Sequence, residues 1–355
     1  LYTANKYGAV FMNTPSLFSK IRLVYNNVEA IGGTAVFIDT LANTGQPLKT
    51  FEIKGNTSIT GVSSYTYNGT TYTSAYNDTA LISLANVVID NGANVVLDAG
   101  GNALYNIQMH SYEGRQTISI GDNAHVEMKG ATAANVDMSS YNGGNVINIG
   151  NKAYVDMTLS DSGSSANVDM SSYNGGNVIN IGDNAHVEMK GATASNVDMS
   201  SYNRDSTVTI NPGAFVSLNG PSNFNSNNTV TINIDDPSLV FLKNWGGRAY
   251  TGNATYTINA QNTSIQTVDG DIIAATPVLK SNTATINGSN VQSSNTVFLP
   301  NEEGTAQQVA EINSNIVKPG FEITEYQGYT AHSESVSMSE SLSNSVSMSE
   351  SLSNS

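Results

Sequence analysis

Residues 166–191 read ANVDMSSYNGGNVINIGDNAHVEMKG, and nearly all of this has been said once before. ANVDMSSYNGGNVINIG also fills 134–150, and IGDNAHVEMKGATA fills both 120–133 and 181–194. A fixed period decides a fold before any single residue does. The isoleucines that close TISI, VINI, VINI and TVTI are Ile120, Ile149, Ile181 and Ile210, spaced by 29, 32 and 29 residues. Ile89 upstream and Ile234 and Ile258 downstream extend the series less regularly. The long duplication is therefore two rungs of a ladder copied together.

Each rung holds three short alternating segments separated by Gly, Asn and Asp, for example Ile147 to Ile149, Val155 to Met157 and Val168 to Met170. Alternation sends Val, Ile and Met to one side of a strand and Asn, Asp or Glu to the other. Three strands per repeat with a turn at each corner describe an all-β chain wound as a parallel β-helix. In such a β-solenoid, equivalent residues of successive coils stack at about 4.8 Å. Two methionine columns follow, Met109, Met138, Met170, Met199 and Met128, Met157, Met189, both expected in the core beside Val and Ile. Asn106, Asn135, Asn167 and Asn196 form a column whose amides are expected to bond along the stack as structure. Each coil templates the next, which is why the chain repeats itself.

Composition agrees. The 355 residues are rich in Asn, Ser, Thr and Gly, which suits short strands and many turns. There is no cysteine, as in a bacterial extracellular protein without disulfides, although a cytosolic chain fits too. No run of eighteen apolar residues is present, so no spanning helix and no membrane insertion are expected. The chain starts at Leu1 without a leader and is read as an excised fragment. A net charge of −15 argues against nucleic acid and anionic membranes as partners.

The ends depart from the period. Over 1–82 it is blurred by the segments VFIDT and FEIKG and by a tyrosine-rich stretch, SSYTYNGTTYTSAYN, read as first coils with a long loop. Over 300–332 lies the expected C-terminal cap, with a short helix in GTAQQVAEINSNIV and a strand in FEITEY. The solenoid thus covers 1–332, and 333–355 is a serine-rich stalk segment that can build no core and is read as disordered.

That tail carries the decapeptide SVSMSESLSN twice, at 335–344 and 345–354. It resembles the serine-rich repeats of large glycoprotein adhesins on Gram-positive surfaces, most of all those of lactobacilli. The resemblance implies a folded binding region flanked by serine-rich segments, glycosylated, exported by an accessory route and anchored extracellularly to the cell wall. It also implies a right-handed, pectate-lyase-like helix, with handedness taken from precedent, while the repeat spacing over the chain's length gives roughly ten coils. It transfers no ligand-contacting residue.

Candidate binding residues come from the columns. Tyr112, Tyr141, Tyr173, Tyr202 and Tyr250 each stand eight residues before a register isoleucine, at one corner of successive coils. Facing outward they offer aromatic surface and hydroxyls to sugars; facing inward they are an aromatic core stack. Arg115, Arg204 and Arg248 fall near that corner, and Lys243 and Trp245 accompany Arg248 in FLKNWGGRAY. The arginines are either a carboxylate-binding strip or solvated turn residues.

Two acidic columns, Asp137, Asp169, Asp198 and Glu127, Asp156, Glu188, are expected to face outward beside His125 and His186. Stacked carboxylates raise one another's pKa, which makes these columns candidate pH sensors. No loop has the spacing of a known calcium site, so no metal and no cofactor are expected. The acidic residues are periodic copies rather than one catalytic cluster, so no catalytic residue is assigned and the chain is not expected to be an enzyme. The expected function is adhesion to acidic polysaccharides or host mucus and epithelial glycans, of host or plant origin, strengthened by acid. A lyase acting on uronic-acid polymers is the alternative, and homotypic association in biofilm the third reading.

Overall fold

The structure, a computed structural model, describes residues 22–32, 50–62, 64–73, 80–83, 86–101, 103–110, 112, 114–159, 166–190, 195–199, 201, 203–219, 229–235 and 239–242. It adds strand backbone at 2–3, 10–13, 36–39, 255–261, 264–268, 284–289, 296–298 and 323–326. All described elements are strands, wound as a parallel β-solenoid whose sides are sheets of twelve, ten and five strands. Among the described residues no helix is long and apolar enough to cross a membrane.

The register is the one the period dictates. On the ten-stranded side Ile118, Ile147, Ile179 and Val208 align in successive strands, and Ile120, Ile149, Ile181 and Ile210 align two positions on. On the twelve-stranded side Met128, Met157 and Met189 align, ending on Leu218. The five-stranded side stacks Ile107, Val136, Val168 and Val197. Both methionine columns are buried, as expected. The central coils enclose an aliphatic void of about 40 Å³ bordered by Ile118, Met128, Val136, Ile147, Val168 and Ile181 among others.

Among the described residues the third side has five strands, so about five turns are three-sided, beside ten and twelve strands on the other two sides and the roughly ten coils expected. The tyrosine-rich stretch contributes an antiparallel hairpin, Ser64–Tyr67 with Thr70–Thr73, turned at Asn68 and Gly69, both with positive φ. The expected helix within 304–317 and the serine-rich tail lie outside the described residues. Ile323–Tyr326 of the FEITEY segment is a strand paired with Ser264–Val268.

Asn106, Asn135 and Asn167 of the asparagine column are buried and bond along the axis, while the Asn196 side chain lies outside the described residues. Asn106 Nδ2 donates to Asn135 Oδ1 at 2.6 Å, and Asn135 Nδ2 donates to Asn167 Oδ1 at 2.7 Å. Burial makes each of these amides dependent on its neighbours. Replacing Asn135 with Leu keeps the branched shape but leaves the Asn106 amide and the Asn167 carbonyl without this partner. The expected cost is about 3 kcal/mol, from about 1–3 kcal/mol per stranded group, read from chemical denaturation. Asn142 belongs to an outer ladder, where it accepts from Asn174 Nδ2 at 3.0 Å. Its replacement by Ala should cost less than about 1 kcal/mol, because water can serve the freed amide.

Candidate functional site

The turn that leads from the five-stranded side to the ten-stranded side is MSSYNGGN in two successive coils. Its inner half is fixed by buried amides: Gln116 N–H donates to Asn145 Oδ1, Asn145 N–H to Asn177 Oδ1, and Asn177 N–H to Ser206 Oγ, at 3.1–3.2 Å. Sequence reading missed this column, although the last Asn of each YNGGN copy was its signal. Ser140 Oγ and Ser172 Oγ close the turn onto the carbonyls of Gly143 and Gly175. The glycine pairs let successive coils touch by backbone alone; a Cβ on Gly144 would collide with the Gly176 carbonyl, and one on Gly176 with that of Asp205.

With the inner positions filled by amides, the tyrosines point out. Tyr112, Tyr141 and Tyr173 are 52%, 42% and 41% exposed, which decides the question of their direction. Their rings stack in parallel, with centroids 5.0 Å apart and interplanar angles of 11° and 6°. Ring faces are thus largely spent on one another, and a ligand meets a row of ring edges and phenol hydroxyls. Beside it runs the outer amide ladder, in which Asn203 Nδ2 donates to Asn174 Oδ1 at 2.7 Å.

Arg115 and Arg204 are both exposed at this corner, in the first and fourth of four successive coils. About 14 Å along the axis separates them at one strand spacing per coil. They flank the tyrosine ladder rather than form a continuous strip, because the two coils between carry Gly-Gly. Arg115 also adopts a left-handed backbone, φ 62°. Tyr202, Tyr250, Arg248, Lys243 and Trp245 lie outside the described residues.

The acidic columns differ from expectation. Asp137 is only 7% exposed and accepts from the hydroxyl and the N–H of Ser139, at 2.6 and 3.0 Å. Burial, more than its neighbour Asp169, pushes its pKa up. Asp169 and Asp198 are half-exposed in the same column. The other column is interleaved with cations that sequence reading left out. Lys129 Nζ lies 2.6 Å from Glu127, and Lys190 Nζ lies 3.7 Å from Asp156 and 3.6 Å from Glu188.

Glu188 is held below the usual carboxylate range, first by His186, whose Nε2 lies 3.7 Å from its carboxylate, and then by Lys190, against the opposing effect of burial. Mutual repulsion does not govern it. The two carboxylates act oppositely on stability. Asp137, raised on folding, contributes most at low pH and loses that contribution as pH rises through its folded value. Glu188, lowered on folding, contributes above its unfolded value and loses that contribution as pH falls through its folded one.

His125 and His186 sit in an aromatic column of their own. His125, Tyr154, His186 and Phe215 stack with centroids 4.7, 4.6 and 4.3 Å apart. The signal was present three positions before each residue of the Met128, Met157, Met189 and Leu218 column. Among the described residues no three His, Asp or Glu side chains are grouped to hold a metal ion. No family profile, curated protein or solved structure matches the chain.

Proposed function

We propose that this solenoid is the glycan-binding region of a cell-wall-anchored, extracellular adhesin, and that it binds acidic polysaccharides without turning them over. The observation that carries the reading is the outward ladder of Tyr112, Tyr141 and Tyr173, bracketed by Arg115 and Arg204. A ladder that repeats once per coil suits a polymer lying along the axis, with one sugar unit to each phenol and amide. The bracketing guanidiniums suit carboxylates at either end of the bound segment. The tandem serine-rich decapeptides at 335–354 supply the adhesin part of the reading.

Acid strengthens the complex in this reading. At neutral pH the −15 chain and an anionic polymer repel at long range, and only local cations attract. Lower pH discharges carboxylates, and Asp137, four residues before Tyr141, takes up its proton above the usual range. Calorimetry on polygalacturonate should give an affinity roughly tenfold higher near pH 4.5 than near pH 7, a range set by ordinary carboxylate pKa values. Tyr141→Ala combined with Arg204→Ala should remove most of it. Equal affinity at the two pH values would discard the electrostatic part, and an unweakened double variant would discard the site. Steady release of unsaturated products from the same polymer would replace binding with lyase chemistry.

A further inference from the structure

We infer that the outer side of the ten-stranded sheet is a second binding strip, which takes one extended chain of a neutral polysaccharide along the solenoid axis. The strip is read from five consecutive strands at 117–120 (TISI), 146–149 (VINI), 178–181 (VINI), 207–210 (TVTI) and 231–234 (TINI). The second and fourth residues of each are buried; the first and third are half-exposed and face out. Register places all the first residues in one column and all the third in another.

None of the ten outward positions is charged. The same cannot be said of the other sides, which carry Glu127, Lys129, Asp156, Glu188 and Lys190 on one and Asp137, Asp169 and Asp198 on the other. At one end the strip is closed by an ion network, Glu52 with Arg22 at 2.8 Å and with Lys54 at 2.6 Å. Downstream, backbone register carries it on through Thr257 with Asn259 and Thr285 with Asn287.

The two columns differ in chemistry. The first is Thr or Val in every coil and lines up methyl groups; the second is Ser, Asn or Thr and lines up amides and hydroxyls. Neutral sugars present the same pair, an apolar C–H face and hydroxyl edges. Five coils span about 19 Å and two columns about 7 Å, the footprint of one polymer chain rather than of a protein partner. The side chains are also set in advance. β-Branched residues have few rotamers, and Asn180 Nδ2 already donates to Asn148 Oδ1 at 2.8 Å. Little ordering entropy remains to be lost on binding. A neutral ligand also escapes the field of the −15 chain, which an anionic one does not.

The strip is independent of the tyrosine corner, and one experiment separates them. The full chain is run in native gels containing a neutral β-linked glucan, a neutral mannan or polygalacturonate. Retardation by at least one neutral polymer is expected, unchanged in about 0.5 M NaCl, where surface charge is screened. Val178→Lys with Thr209→Lys should weaken it at least about tenfold, with circular dichroism unchanged and polygalacturonate retardation retained. Tyr141→Ala should do the reverse. No retardation by either neutral polymer, equal retardation of the lysine variant, or loss of retardation in salt overturns the proposal. So does a lysine variant whose only change is lost self-association by sedimentation, or lost control of ice growth, since the strip would then face a second copy or the water lattice.

Discussion

Ile181→Asp is expected to abolish the cooperative fold of the central coils. Ile181 is 4% exposed, aligns with Ile149 and Ile210 in the strands on either side and borders the aliphatic void. An aspartate there finds no hydrogen-bond donor, so it must be buried charged or be protonated at a cost of several kcal/mol. The lost aliphatic packing adds about 2–5 kcal/mol. The sum reaches the whole stability of an ordinary domain, about 5–15 kcal/mol. A solenoid is further exposed to such damage because each coil is stabilised only by its neighbours, so a broken rung uncouples the coils on both sides. Far-ultraviolet circular dichroism and proteolysis read the result. Asn180→Asp, one position earlier and half-exposed, should lose only its amide bond to Asn148, about 1 kcal/mol. If the two variants behave alike, the alternation that underlies the fold is wrong.

Gly144→Ala is the second large effect, and it strikes the corner that carries the tyrosines. The new methyl would meet the Gly176 carbonyl oxygen, which is backbone and cannot rotate away, so the two coils must separate. About 3 kcal/mol is expected from overpacking of this kind, a fall of roughly 4 °C in Tm for a chain of 355 residues. Gly92→Ala is the comparison. Gly92 has φ +66° but nothing within 4 Å of its Cβ position, so it costs only left-handed strain, about 1 kcal/mol. Thermal unfolding of the pair separates close backbone approach from conformational freedom. Loss of glycan binding in Gly144→Ala at a temperature where the fold persists would tie the glycine pair to the spacing of the tyrosine ladder. A Tm unchanged from wild type would mean that the coils at this corner are further apart than described.

The sequence by itself determined the solenoid, its register and its core. Alternation with a period of two and repetition every 29 or 32 residues leave one way to stack Ile118 on Ile147 and Met128 on Met157. The buried Asn106, Asn135 and Asn167 ladder followed from the same arithmetic. Three things needed the tertiary structure, each for a physical reason. The direction of Tyr112, Tyr141 and Tyr173 is set by a turn, where alternation does not hold and where Asn145 and Asn177 had already taken the inner positions. The surroundings of the carboxylates depend on what the coils bring across: Lys190 reaches Asp156 from the neighbouring coil, while Asp137 is buried by the elements packed around it. The uncharged strip is a property of a whole side, visible only once strands far apart in the chain are laid next to one another. Periodicity fixes which residues share a column; only packing fixes what each column faces.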